Sequence, residues 1–361
     1  MKAVIFAGGV GTRLWPLSRK KTPKQFEKII GDKSTLQLSA QRLRPEFAWK
    51  DIYISTGKQY EELVKNQLPQ LPQGNIILEP EMRDVGPAVG LITTILGKTD
   101  PKAPFVILWS DHLVKKVDLF KKVLKVGEKY LKKDPERIVF IGQKPRFPSQ
   151  NLGWIEFGQK VKEEEGIPFY KFESWHYRPD LNSAMTYLRS GHHAWNPGYF
   201  ISTPDFLLRQ YKKFAPGIYQ GLIKIQGALK SRSQFIKTLN EVYPTFPKIS
   251  FDNAILEQLP PKFASVVLVD FGWSDVGAWE ALKEALQKSP RGNVTQGKVL
   301  TEDTQDSLVY NYTDQLLVTI DLEGFLVVVT PDVVLVCHKN SVPKVKKLVE
   351  SLPGTIHEHL A

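Results

Sequence analysis

Through residue 143 the chain alternates short apolar runs with stretches of helical spacing. "AVIFAG" (3–8), "DIYIST" (51–56), "NIILEP" (75–80), "FVILWSD" (105–111) and "RIVFIGQ" (137–143) are predicted strands. Between them, "STLQLSAQRL" (34–43) and "GPAVGLITTILGK" (86–98) read as helices. A third helix sets Val117, Phe120, Leu124 and Leu131 among eight lysines at 115, 116, 121, 122, 125, 129, 132 and 133. Strands alternating with helices imply parallel βαβ units, whose ligands lie beyond the carboxyl ends of the strands. The strand endings "AGG", "STG", "EP" and "SD" all fall at those ends.

After residue 144 the pattern changes. "NLGWIEFGQKV" and "IPFYKFESWHYRP" suggest longer antiparallel segments, and "LNSAMTYLRSG" and "ISTPDFLLRQYKKF" suggest helices. Beyond Trp279 and its helix the chain turns β-rich: "NVTQGKVL", "SLVYNYT", "QLLVTIDL" and "GFLVVVTPDVVLVCHK", closed by a helix in "VPKVKKLVESL". The expected division is a catalytic domain over 1–286 and a β-rich domain over 287–361, split near "KSPRGN".

A net charge of +11 points to an anionic partner. The lysine-rich helix reads as a solvated face, and no basic stripe with interleaved aromatics suggests nucleic acid. The single cysteine, Cys337, excludes an internal disulfide and is expected to be a buried strand thiol. No apolar run reaches the length of a membrane span or secretory leader, so the expected location is the cytoplasm.

The most informative stretch is "AVIFAGGVGTRLWPLSRKKTPKQF" (3–26). Leu14 occupies the third glycine position of a dinucleotide fingerprint, and no Gly-Lys-Ser/Thr makes a Walker loop. The segment is still a phosphate cradle in physical terms. Ala7, Gly8, Gly9, Gly11 and Thr12 bring backbone N–H groups close to an anion. Arg13 adds a planar fork for phosphate oxygens, and Lys24 a point charge.

This stretch closely resembles the signature of sugar-1-phosphate nucleotidylyltransferases, and its "LWPLSR" and "PKQF" portions resemble the mannose-1-phosphate guanylyltransferase branch. The resemblance runs along nearly the whole chain. It implies a Rossmann-like α/β nucleotidyltransferase domain with a mixed sheet, of GT-A type, followed by a short left-handed β-helix. It also implies that Lys24 neutralises charge building on the α-phosphorus and Arg13 the departing pyrophosphate. "ILEPEMRDVGPAVGL" resembles the family's base-binding segment through Glu79, Pro80 and Arg83; Asp84, Val85 and Gly86 depart from it. "ILWSDHLV" supplies Ser110 and a metal-ligand Asp111, and "FGWSDVGAWEAL" a second metal-ligand Asp275. Two such carboxylates suit Mg²⁺, though other divalent ions fit the same donors.

On the sugar side the resemblance implies Gly153 in "NLGWIEFG" and Asn196 in "HAWNPGYF". The family's Glu-Lys-Pro-Asp falls on Tyr177, Arg178, Pro179 and Asp180, so Arg178 replaces the lysine that clamps the sugar phosphate. Tyr177 cannot replace the carboxylate; either Glu173 or another acceptor does so, or the sugar differs. The expected reaction is transfer of GMP from GTP to a hexose 1-phosphate, most simply α-D-mannose 1-phosphate. Another base or sugar, and a non-catalytic nucleotide-sugar-binding relative, remain open. Relatives dimerise through the β-helix, so a homodimer is expected, and with the chain stopping soon after that domain no isomerase domain is expected to follow.

Overall fold

The structure, a computed structural model, describes residues 1–9 and 11–360, with the backbone alone for Thr12. Its chain separates into two compact units. One comprises residues 1–8, 40–109 and 114–273; the other comprises 9–39, 110–113 and 274–361.

The first unit is built on a ten-stranded mixed sheet: β1 (Lys2–Phe6), β2 (Ile52–Gly57), β3 (Ile76–Glu79), β4 (Phe105–Trp109), β5 (Ile138–Gln143), β6 (Gly153–Glu164), β7 (Ile167–Tyr177), β8 (His193–Asn196), β9 (Phe200–Ser202) and β10 (Ala264–Val269). Its order is β10-β7-β6-β8-β5-β9-β4-β1-β2-β3. β1 runs parallel to β2 and β4, and β2 to β3, as the alternating pattern predicts. The antiparallel β9 then separates β4 from β5. β10 pairs with both β5 and β7, so β5, β8, β6, β7 and β10 close on themselves.

The predicted helices form at α1 (Val85–Thr99) and α2 (Val117–Lys133), and "LNSAMTYLRS" forms α3 (Leu181–Ser190). On α2 the side chains of Phe120, Val123, Leu124, Val126 and Leu131 are buried and the lysines lie on the opposite face. Asp84 caps α1 by accepting from Val85 N, and Asp180 caps α3 by accepting from Ser183 N. "ISTPDFLLRQYKKF" is not helical throughout. Phe200–Ser202 is strand, and the helix begins at Pro204 behind a Thr203 cap, because these three buried residues, two of them apolar, fill the gap between β4 and β5. Helices over Pro216–Ala228 and Arg232–Val242 were not expected from the sequence.

In the second unit, β11 (Val294–Gln296), β13 (Leu308–Asn311) and β15 (Phe325–Val329) pair in parallel, as do β12 (Val299–Glu302) and β14 (Leu317–Ile320). This is a β-helix-like coil closed by the antiparallel β16 (Val334–His338). Cys337 sits on β16 half-buried, less enclosed than expected, although it shares a face of this closing strand with the buried Leu335. The helices α4 (Trp279–Leu286) and α5 (Pro343–Glu350) pack on the coil. Leu14, Trp15 and Leu17 of the opening loop share that core. The Trp279 indole donates to the Trp15 carbonyl and the Trp15 indole to Leu360 O, at 2.9 and 2.8 Å.

One ion pair organises the approach to the "GWSD" segment. Asp270 accepts from Lys116 Nζ and Gln143 Nε2, each at 2.8 Å, and Gln143 Oε1 accepts from Phe271 N and Trp273 N. Burial alone would raise the Asp270 pKa, but Lys116, Gln143 and Gly272 N–H outweigh it and hold the group at about 2. A folded-state value below the ordinary 3.8 adds stability above about pH 4 and loses it as the pH falls through 2. Asp270→Asn should therefore be less stable at pH 7, by up to about 1 kcal/mol for so exposed a pair. Urea melts between pH 7 and 2 should show the variant and the parent converging at the acid end.

Candidate active site

The loop after β1 is shaped around Lys24. Gly11 has φ +66°, and a Cβ there would lie 2.7 Å from Lys24 Cγ, so the lysine stem lies directly over the glycine. Lys24 is buried, and its Nζ meets Asp111 Oδ2 at 2.6 Å and the Val276 carbonyl at 3.5 Å. Gln25 donates to Gly9 O at 2.9 Å, tying the glycine segment to the short helical turn Lys24–Phe26.

Asp111 and its neighbours come from the end of β4. The Ser110 carbonyl accepts from Ser39 Oγ at 3.1 Å, and His112 Nε2 lies 3.8 Å from Asp111 Oδ1. Burial pushes the Asp111 carboxyl upward, but Lys24 and then His112 outweigh it and leave the pKa below its ordinary value. Asp275 arrives on the turn before α4. Val276 there takes φ +42°, and Gly277 N donates to Asp275 Oδ1 at 3.3 Å. A Cβ on Gly277 would lie 2.8 Å from Asp275 Oδ2 and 3.3 Å from Arg13 Nη2, so this glycine lets carboxylate and guanidinium approach one another. Arg13, Lys24, Asp111 and Asp275 thus gather within the second unit. The side chain of Thr12 lies outside the described residues.

Of the remaining expected residues Gly9 belongs to the second unit, and those described next otherwise lie in the first. Ala7 continues the β1 ladder, its N–H donating to Ser55 O and its carbonyl accepting from Thr56 Oγ1, both at 2.8 Å. A Cβ on Gly8 or Gly9 would meet no atom within 4 Å among the described residues. Glu79, at the end of β3, is buried, and its oxygens accept from Tyr243 Oη at 2.7 Å and Ser55 Oγ at 3.3 Å. Burial raises its pKa, with those two hydroxyls pulling the other way. Tyr243 was not singled out from the sequence, since "YPTF" carries no pattern that would mark it. Beyond Pro80, Arg83 pairs with Glu81 at 2.6 Å, and its buried Nε has no hydrogen-bond partner among the described residues.

Gly153 stands between Asn196 on β8 and Tyr177 on β7, directly paired with both. Asn196 Oδ1 accepts from Gly198 N at 2.8 Å, which fixes the amide at the strand end. Arg178 takes φ +46° and sets its guanidinium 5.1 Å from the Tyr177 ring centre. Glu173 stands apart. A register shift in the β6–β7 pairing places it against Gly158, four residues before Tyr177. That is about 13 Å along the strand, so the structure does not bring Glu173 together with Gly153, Asn196 and Arg178.

Fold and site together define a nucleotidyltransferase. The nucleotidyl transferase family matches residues 2–291 and the mannoseP isomerase/GMP-like beta-helix domain matches 297–352; the chain belongs to the nucleotidyl transferase family and is an enzyme of that class. Among its relatives, mannose-1-phosphate guanylyltransferase 2 of Escherichia coli O157:H7 is 34% identical over 97% of this chain and 73% of the relative. Mannose-1-phosphate guanylyltransferase of Escherichia coli K12 is 33% identical over 99% of this chain and 74% of the relative. A crystal structure described as mannose-1-phosphate geranyltransferase from Thermus thermophilus superposes with a TM-score of 0.85 at 27% identity, covering 97% of this chain and 98% of that one.

The glycines of the loop separate by cause. Gly11→Ala forces an L-residue into the left-handed region against Lys24 and should cost about 1–2 kcal/mol. Gly8→Ala and Gly9→Ala should leave the unfolding free energy within about 0.5 kcal/mol of the parent, because no atom of the described residues occupies that space. Urea denaturation of the three variants checks the contrast.

Proposed function

We propose that this enzyme transfers GMP from GTP to α-D-mannose 1-phosphate, giving GDP-mannose and pyrophosphate. The observation that carries the chemistry is the gathering of Arg13, Lys24, Asp111 and Asp275 in one compact unit around a glycine loop. The names of the relatives at 33–34% identity support the substrates.

The attacking sugar phosphate is already anionic at neutral pH, so the protein supplies alignment and charge rather than a general base. The buried Lys24 ammonium is the group we assign to the charge growing on the α-phosphate, and the Arg13 fork to the leaving pyrophosphate. The unfilled space at Gly8 and Gly9 suits close approach of phosphate oxygens to the backbone. Asp111 is kept ionised by Lys24 and His112 and, with Asp275, offers hard oxygen donors that fit a divalent ion, Mg²⁺ in the first place. Such an ion, when bound, would offset phosphate charge.

The segment Glu79–Arg83 is assigned to the base. Glu79 can offer guanine only the lone pairs left by Tyr243 and Ser55. Gly153, Asn196 and Arg178 are assigned to the sugar phosphate, with Glu173 outside that group. We place the reaction in the cytoplasm, where its nucleotide is made. A homodimer is favoured by the apolar face of the β12–β14 pair, where Leu300, Val318 and Ile320 are exposed. Sedimentation of the intact chain should give the mass of two copies, and a single-copy mass at micromolar concentration removes this assignment.

Pyrophosphate release measured for each nucleoside triphosphate against a panel of sugar 1-phosphates should peak with GTP and mannose 1-phosphate and require a divalent ion. Lys24→Ala should depress turnover by about 10²- to 10³-fold. The fold should survive, because Asp111, a quarter exposed, can be hydrated once its partner is gone. A variant that melts like the parent and turns over normally would end the role given to this lysine.

A further inference from the structure

We propose that Glu156, His176 and His193 form a binding site for one divalent transition-metal ion of the zinc class, separate from the phosphate-binding group. Three adjacent strands carry it. Glu156 on β6 pairs directly with His193 on β8 and with Ser174 on β7, and His176 follows Ser174 by two residues, opposite Trp154. The pleat returns positions 174 and 176 to one face of the sheet.

One ligand atom from each of the three side chains lies within 4.8 Å of the other two. His176 Nε2 and Glu156 Oε2 are 3.4 Å apart. That separation matches the edge of a tetrahedron, about 3.3 Å, around an ion with bonds of about 2.05 Å. Two imidazoles and one carboxylate form a zinc-type donor set, unlike the all-oxygen sets that magnesium and calcium take.

The surroundings orient the ligands as a metal site requires. Ser190 Oγ donates to the Tyr187 carbonyl at 2.8 Å and lies 2.8 Å from His193 Nδ1. With its own hydrogen committed, the hydroxyl accepts the Nδ1 hydrogen, the tautomer that keeps the Nε2 lone pair for an ion. The Tyr187 ring stacks on His193 at 4.3 Å and lies 4.7 Å from the His176 ring, limiting rotation of both imidazoles. Without a metal, Ser174 donates to Glu156 Oε2, and His176 Nε2 lies 2.9 Å from the Ser174 hydroxyl. An ion would take the Nε2 lone pair of His176 in its other neutral tautomer, the hydrogen passing through solvent from Nε2 to Nδ1 with no net proton released. Glu156 and His176 remain 40% and 29% exposed, so an ion can reach them and water can complete the coordination.

The test is calorimetric titration of the chelator-stripped chain with ZnCl₂ alone. The expected result is one ion per chain with a micromolar or tighter Kd. His193→Ala and Glu156→Gln should each weaken it by at least about 10-fold, as should Ser190→Ala, which keeps every ligand and loses only the tautomer control. Asp275→Asn and His357→Ala should bind zinc like the parent, which separates this site from the phosphate group and from the exposed tail histidines. Thermal melts of the metal-free variants verify folding, and Ser190→Ala decides the matter if a ligand variant does not fold. Absence of binding at micromolar zinc, or binding that survives the His176→Ala/His193→Ala double substitution, would overturn the assignment.

Discussion

A buried ammonium needs a counter-charge, and most of this site follows from how Lys24 obtains one. Its stem lies over Gly11, so that position has no room for a side chain. Its head meets Asp111 Oδ2 at 2.6 Å, which pairs the cation with a carboxylate. The Val276 carbonyl accepts from the same ammonium at 3.5 Å and ties in the turn that bears Asp275. Each partner is dictated by the cost of leaving a charge unpaired away from water. The resulting arrangement holds its charges in place within the protein, the condition under which fixed charges would act most strongly on the proposed reaction.

The parallel half of the sheet was readable because its strands are short apolar runs with polar endings. The opening loop was readable because few backbones need glycine, arginine and lysine at such spacing. Other features were hidden for physical reasons. β9 is only three residues, Phe200–Ser202, ahead of a helix, too short to show a period of two. The position of Glu173 depends on a register shift in a long hairpin, which alternation along one strand cannot reveal. Glu79 stands where a base-reading carboxylate was expected, yet its protein partners, Ser55 and Tyr243, come from distant parts of the chain.

The departures at Asp84 and Arg178 have local explanations. Asp84 takes φ +66° and caps α1 with its own carboxylate, so the polar residue at that place serves the helix start. Arg178, also at positive φ, turns its guanidinium onto the neighbouring Tyr177 ring, and Asp180 then opens α3. The segment thus holds a cation against an exposed aromatic ring at the end of β7.

The second unit is assembled from pieces that leave the ribosome far apart in time. Leu14 and Trp15 emerge at once, whereas Leu308, Val328 and Val345, beside which they are finally buried, are translated on the order of tens of seconds later. During synthesis the apolar residues of the opening loop are therefore without the core that finally buries them. Truncated translation products would carry the sequence signature of the active loop without the scaffold that shapes it.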